Sequence, residues 1–272
     1  MVYYDVTNYY FEIDKPDELR KKGVSKEHRP DPIVQMGLFM DTMGLPIFYR
    51  LFPGNEPDKT TLIPMLTELT REYNLGRIIV VAGKGLNTAR NVYFNSHGLG
   101  NGYVLSQTVR GAQKELKDFV FNEKGYVWRG EDYKIKSRLY PREITITASN
   151  GKPKKVRIDE KQVVFYSRDY DKRAKTEREP AIMKALDLVR DPAKYNKAAS
   201  YGAAKYVKNL VFDKKTGEIL TSKQKPVFDA AKLKEEEKFD GYYGGAAVGV
   251  DFSRKFMRLK DIKNILGDVK KG

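Results

Sequence analysis

Asp5, at the head of one strand pattern, and Gly83, at the end of another, set out the chemistry open to this chain. Tyr3-Tyr4-Asp5-Val6-Thr7 is aromatic and β-branched around its aspartate and reads as a strand. Arg77-Ile78-Ile79-Val80-Val81-Ala82 reads as a second, buried strand that runs into Gly83-Lys84-Gly85-Leu86-Asn87. An aspartate is an oxygen ligand for a hard divalent cation. A second acidic side chain at position 83 would complete such a site, and Gly83 supplies none. The chain has no cysteine and only His28 and His97. Disulfides and thiolate metal sites are excluded, and a His-rich zinc site has little to draw on. Any metal would be held by oxygen, which points to Mg²⁺ or Mn²⁺. These residues predict a phosphoryl-transfer scaffold lacking part of its ligand set.

Other residues admit two readings each. Gly83-Lys84-Gly85 carries a glycine–lysine pair, but a phosphate-cradling loop needs Gly, four residues, then Gly-Lys-Ser/Thr. Gly85 replaces the hydroxyl residue, and Gly76 lies too far upstream. His28, beside Arg29, is either a DNA or metal contact or a solvated loop histidine. Asn55 and Asp58 either line the mouth of the site or, for Asp58, cap the helix that begins near Lys59. Asp41 and Asp58 are the candidate substitute ligands.

The elements that must position these residues follow from the hydrophobic pattern. Strands are predicted near 2–7, 33–41, 45–52, 77–82 and 103–107. Leu62, Met65, Leu66 and Leu69 recur at helical spacing within a helix predicted over Lys59 to Tyr73, closed by Gly76. A second helix is expected near Thr88 to Ser96. Three strands, a helix, a strand, a helix and a strand form the element order of a ribonuclease-H-like fold, with the site at the carboxyl ends of strands. Further on, 133–139, 142–148 and 156–167 read as strands, with a turn at Ser149-Asn150-Gly151. Residues 169–190 read as a helix, and Asp213 to Gly217 as a hairpin turn. Gly244 to Gly249 reads as weakly structured, and Phe256, Leu259, Ile262 and Ile265 could share one face of a helix.

Charge divides the chain. Residues 1–107 hold 12 basic and 12 acidic side chains, whereas 108–235 hold 31 and 18, a net of +13. Residues 236–272 carry 8 and 6. The expected domains are 1–107 as the first part of the α/β core, 108–235 as a basic, β-rich insertion, and 236–272 as the end of the core with a divergent tail. A basic segment beside a neutral one points to a polyanion partner, with a solvated lysine-rich surface as the alternative. Lysine outnumbers arginine there, which favours phosphate contact over base reading. Tyrosines and phenylalanines among these charges either stack on bases or build the insertion's own core. No apolar run approaches the ~18 residues of a membrane span. No basic-then-apolar signal opens the chain, so a cytoplasmic protein is expected.

Several of these motifs, in order, resemble one family. Tyr4-Asp5-Val6-Thr7 with Tyr10-Phe11-Glu12 is similar to the opening of the catalytic domain of bacterial insertion-sequence DDE transposases. Gly23 to Asp31 resembles the family's loop before its second strand. Gly44-Leu45-Pro46 and Leu51 to Asp58 resemble its third strand and exit. Ile79 to Gly85 resembles its fourth strand, and Phe239-Asp240-Gly241-Tyr242-Tyr243 the strand after its β insertion. The resemblance spans about 1–243. It implies a ribonuclease-H-like mixed sheet and DNA transposition by Mg²⁺- or Mn²⁺-dependent phosphoryl transfer. It also implies double-stranded DNA as partner, with a homo-oligomer or an intact transposase as a further partner. Asp5 matches the first of the family's three carboxylates, position 83 the second, and a Glu-bearing helix after 243 the third. Gly83 departs from that pattern, and no Glu follows Tyr243. The family's N-terminal DNA-binding region has no counterpart before Asp5, so the chain resembles a copy cut at both ends, and a shifted reading frame after Tyr243 would explain the tail. The resemblance therefore implies a catalytically inactive copy, or a non-enzymatic DNA-binding or dimerising modulator of an intact transposase. The alternative is an active nuclease with substitute ligands.

Overall fold

The structure is a computed structural model that describes residues 1–249 apart from 14, 25–29, 149, 195–201, 213–218 and 221–224. His28, the Asp213–Gly217 turn and the tail helix therefore lie outside the described residues, as does part of the 149–151 turn.

The first strands form where alternation is strongest: β1 (Val2–Tyr10), β2 (Ile33–Met40) and β3 (Pro46–Pro53). Helix α1 (Asp58–Tyr73) follows, then β4 (Ile79–Ala82), the short helix α2 (Ala89–Tyr93) and β5 (Gly102–Gln107). The chain continues through α3 (Lys114–Phe121), β6 (Val127–Arg129), β7 (Tyr133–Leu139), β8 (Arg142–Thr147), β9 (Pro153–Ile158) and β10 (Lys161–Ser167). Next comes α4 (Arg168–Arg190), then the two-residue strands β11 (Val207–Lys208), β12 (Val211–Phe212), β13 (Ile219–Leu220) and β14 (Val227–Phe228). Helix α5 (Ala230–Glu237) and strand β15 (Tyr242–Val248) complete the described elements. The stretch predicted as one strand over 156–167 is two, and 244–249, expected to be weakly structured, is mostly strand.

The protein is a mixed α/β structure with a nine-stranded sheet in the order β3-β2-β1-β4-β5-β15-β10-β7-β6. The chain folds into two compact units. Among the described residues, one comprises 1–112, 136–164 and 243–249; the other comprises 113–135 and 165–242.

In the first unit, β1 pairs antiparallel with β2 and β2 with β3, while β1–β4 and β4–β5 are parallel. The switch from hairpin-connected to crossover-connected strands is forced by α1 and α2, because a parallel neighbour requires a long crossover. One face of the sheet buries Tyr4, Val80, Tyr103 and Leu105 with Leu62, Met65, Leu66 and Leu69 of α1. All four of those helix residues were legible from their spacing, and full burial of each contributes about 1.5–3 kcal/mol. The β8–β9 hairpin closes the same core with Ile144 and Ile158. Tyr4 donates to Thr61 Oγ1 at 2.7 Å, and Thr61 donates to the Asp58 carbonyl at 2.7 Å. Position 37 on β2 must stay side-chain-free for this, since a Cβ there would come 2.5 Å from the Tyr4 hydroxyl.

In the second unit, Ala185 and Leu188 of α4 pack with Ala203, Tyr206 and Val207. Arg178 forms a buried ion pair with Asp240. Gly241 takes a positive φ of 76°, and a Cβ there would meet the Tyr166 ring at 2.6 Å. This turn accounts for the Asp-Gly-Tyr run seen in the sequence.

Candidate functional site

The register places Asp5 in a row that crosses the sheet. Tyr4 pairs with Ala82 and Ala82 with Leu105, so the next residues align Asp5, Gly83 and Ser106. Gly83 keeps an extended backbone, φ −68° and ψ 169°, before the turn Lys84–Leu86. Ser106 pairs with Gly245, and on the other side Asp5 pairs with Leu38 and Leu38 with Tyr49. Laterally paired residues share a sheet face, which gives the row Tyr49, Leu38, Asp5, Gly83, Ser106, Gly245. Asp5 is the single charge in it. Gly83 stands one strand spacing from Asp5, ~4.8 Å, and Ser106 two. The face alternates: Tyr3 and Asp5 lie opposite Tyr4 and Val6, so Asp5 looks away from the core built on α1.

The loop after β4 is firmly held although it carries no acid. Asn91 donates from its side chain to the carbonyls of Lys59 (2.9 Å) and Leu86 (3.1 Å). Asn87 donates to the Ser106 carbonyl at 3.4 Å and accepts from Arg142 Nη1 at 3.0 Å. Thr88 caps α2 by accepting from the Asn91 amide. The loop that follows Gly83 is thereby tied to α1 and β5.

The substitute ligands do not join Asp5. Asp41 Oδ1 accepts from the backbone amides of Met43 (2.8 Å) and Leu45 (2.9 Å), closing the β2–β3 turn. It lies three residues beyond Leu38, the partner of Asp5, roughly 10 Å along the strand. Asp58 is the first residue of α1 rather than its cap, which is Pro57. There it faces the positive end of the helix dipole. Desolvation raises the Tyr4 phenol far above its ordinary range, and the charges of Asp58 and, more weakly, Asp5 push the same way. His97 stacks on Tyr93 at 5.1 Å and lies 3.1 Å from Ser96 Oγ, a packing role.

Two metals about 4 Å apart need several carboxylates to offset their charge. Among the described residues, no group of three His, Cys, Asp or Glu side chains is placed to hold a metal. Asp5 alone, with Lys84 next to the second position, does not fit the two-metal set that the family resemblance implies.

Two clusters escaped the sequence. Glu160, 1% exposed, accepts from the Tyr103 hydroxyl at 2.6 Å. Arg142 Nη2 lies 3.0 Å from Glu160 Oε1, without hydrogen-bond alignment. Glu160 Oε2 and Arg142 Nε have no hydrogen-bond partner. Burial pushes the Glu160 carboxyl above its ordinary value, outweighing the Tyr103 hydrogen bond and the Arg142 charge. The sequence reads 156–167 as one strand, and nothing in it marks Glu160 as a buried carboxylate.

In the second unit, Lys134 is enclosed by the rings of Tyr126 (4.6 Å), Tyr166 (5.4 Å), Trp128 (5.8 Å) and Tyr242 (5.8 Å) and is paired with Glu123. Tyr126 and Tyr166 of the basic segment thus pack on a lysine, as Trp128 does while it stays 45% exposed under Arg168. The Tyr242 phenol is pushed up to about 12, chiefly by burial. Among the described residues, no helix is long and apolar enough to cross a membrane. Compared with known proteins, the chain matches no family model and no curated protein.

Proposed function

We propose that this chain is a ribonuclease-H-like scaffold of the insertion-sequence transposase type that binds double-stranded DNA without cutting it. One observation carries the reading. The strand order β3-β2-β1-β4-β5, antiparallel then parallel, sets Asp5, midway along β1, beside position 83, just past the carboxyl end of β4. This is where a two-metal phosphoryl-transfer site would be built, and it retains one carboxylate of its set. In a complete site, Mg²⁺ or Mn²⁺ would activate the attacking oxygen. Here Asp5 supplies one oxygen ligand, and Gly83 and Ser106 supply no carboxylate.

The net charge of +13 over residues 108–235 favours a second role, as a DNA-binding or dimerising modulator of an intact, cytoplasmic transposase. Both readings share the absence of cleavage. The test is a gel assay on transposon-end DNA in Mg²⁺ and in Mn²⁺. The expected result is intact DNA. Metal-dependent nicking that disappears in Asp5→Ala would overturn the inactive reading and establish a nuclease with substitute ligands.

A further inference from the structure

The sheet of the first unit is covered differently on its two faces. On one, Tyr4, Tyr103 and Leu105 meet α1, and α2 joins them through Val92. On the other, Tyr3 pairs with Val81, Val81 with Val104 and Val104 with Ala247, a row across β1, β4, β5 and β15. Val81, Val104 and Ala247 are 2%, 5% and 1% exposed. Among the described residues, the apolar neighbours of this cluster are Met1, Tyr3 and Ile79, which belong to β1, to β4 or to the position before β1. Side chains standing on one pleated face do not screen each other so fully, and burying a sheet face takes a second layer. Toward the β3 edge the same face opens. Met36 and Leu38 on β2 are half-buried, and their partners Leu51 and Tyr49 on β3 are 44% and 65% exposed. Asp5 is the one charged residue among these side chains.

We propose that residues 250–272 of this same chain supply the second layer, seated on the sheet face away from α1 from Ala247 as far as Leu38. Strand β15 delivers the chain to that place. Ala247 belongs to the covered row, and Gly249, two residues on, is exposed at its margin. In the stretch beyond, Leu259, Ile262 and Leu266 recur at i, i+3 and i+7, the spacing of one apolar helix stripe. The reach agrees. From β15 to β2 is four strand spacings, ~19 Å, and a helix over 254–266 would span ~20 Å. The charges agree as well. Residues 250–272 hold seven basic and three acidic side chains, whereas the face offers one carboxylate, Asp5. A second copy docking through the same face would bring no cation to Asp5, only another aspartate. This cover is needed whether or not the chain binds DNA.

The chain has no cysteine, so a single introduced thiol reports on one position. Val81→Cys and Leu38→Cys are made separately in the full chain. The rate of thiol labelling by a soluble aromatic disulfide is measured with and without the tail pair Leu259→Asp and Ile262→Asp. Aspartates within the apolar stripe oppose its burial. Both thiols should label at least about tenfold faster in the tail variant, since local opening then exposes them. Val92→Cys, in the core on the α1 side, is the reference and should keep its rate. If Val92 opens as well, Leu259→Ala with Ile262→Ala replaces the aspartate pair and is scored in the same way. An unchanged rate at Val81 overturns the tail as the cover, and an unchanged rate at Leu38 alone overturns its reach to β2. Protection that falls on dilution, with a dimer in sedimentation, assigns the face to a second copy and also overturns the proposal.

Discussion

Asp5 and Glu160 belong to the same unit, but the sheet and the hairpin give them different company. Asp5 lies on the face away from α1, flanked laterally by Leu38 and Gly83. Glu160 lies with Tyr103, which belongs to the face built on α1, and with Arg142 from the hairpin. Asp5 has no acidic neighbour in its row across the sheet. Glu160 has neighbours, and they serve packing. A carboxylate's role is thus decided by what converges on it: one unaccompanied ligand cannot hold two metals, and one accompanied acid in a core is a clamp.

The largest change should come from breaking the clamp. Arg142→Met removes the cation beside Glu160 and the donor to Asn87, and should cost about 3 kcal/mol near neutral pH. Urea unfolding measures it. A cost below ~1 kcal/mol would show that Arg142 does not stabilise Glu160. The cost should shrink in acid, where a neutral Glu160 no longer needs a cation.

The pH dependence of Glu160 itself has a defined sign. Its folded value is raised, so the stability that its neutral form contributes is full below the ordinary carboxyl value and is lost as pH rises through the folded value. Glu160→Gln resembles the neutral acid. Relative to the unaltered chain, this variant should gain between pH ~4.5 and 7.5, by about 1.4 kcal/mol per unit of raised pKa. A gap that moves the other way with pH would mean that Arg142 and Tyr103 outweigh desolvation.

Giving Asp5 a neighbour should narrow the contrast. Gly83 has a negative φ that any residue can adopt. Gly83→Asp should tighten Mn²⁺ binding about tenfold, near 1.4 kcal/mol, in a titration. It should still not produce DNA cutting, because a third carboxylate is lacking. Unchanged Mn²⁺ affinity would mean that the two side chains do not meet.

The smallest effect is expected at Asp41. Asp41→Ala removes the acceptor of two turn amides and should cost about 1 kcal/mol. Mn²⁺ affinity should stay the same. A weakened affinity would restore Asp41 as a substitute ligand.

Much of the first unit was legible because its signals are local. Val2, Tyr4 and Val6 alternate, and Leu62, Met65, Leu66 and Leu69 repeat at helical spacing, so β1 and α1 declare their buried faces residue by residue. The strands that carry Asp5 and lead into Gly83 were also readable, since both are runs of β-branched and aromatic residues. β15 was not. Gly244, Gly245, Ala246 and Ala247 carry no β-branched pattern, and they become a strand by pairing with Gln107, Ser106, Leu105 and Val104 of β5. Helix α3 went unread because its eight residues offer only Leu116 and Val120 as buried anchors.

The sequence by itself determined which side chains exist to do chemistry: an aspartate at 5, a glycine at 83, no cysteine, and a basic stretch from 108 onward. Residue identity sets ligand type and charge, and both can be counted along the chain. Only the tertiary structure decided that Asp5 and position 83 share a row, that Asp41 is spent on turn amides, and that Glu160 is buried. It also turned one side of the β8–β9 hairpin into the core and left the other exposed. Each of these depends on how the chain brings its segments together, and the free energy of a charge depends on the dielectric and the partners around it.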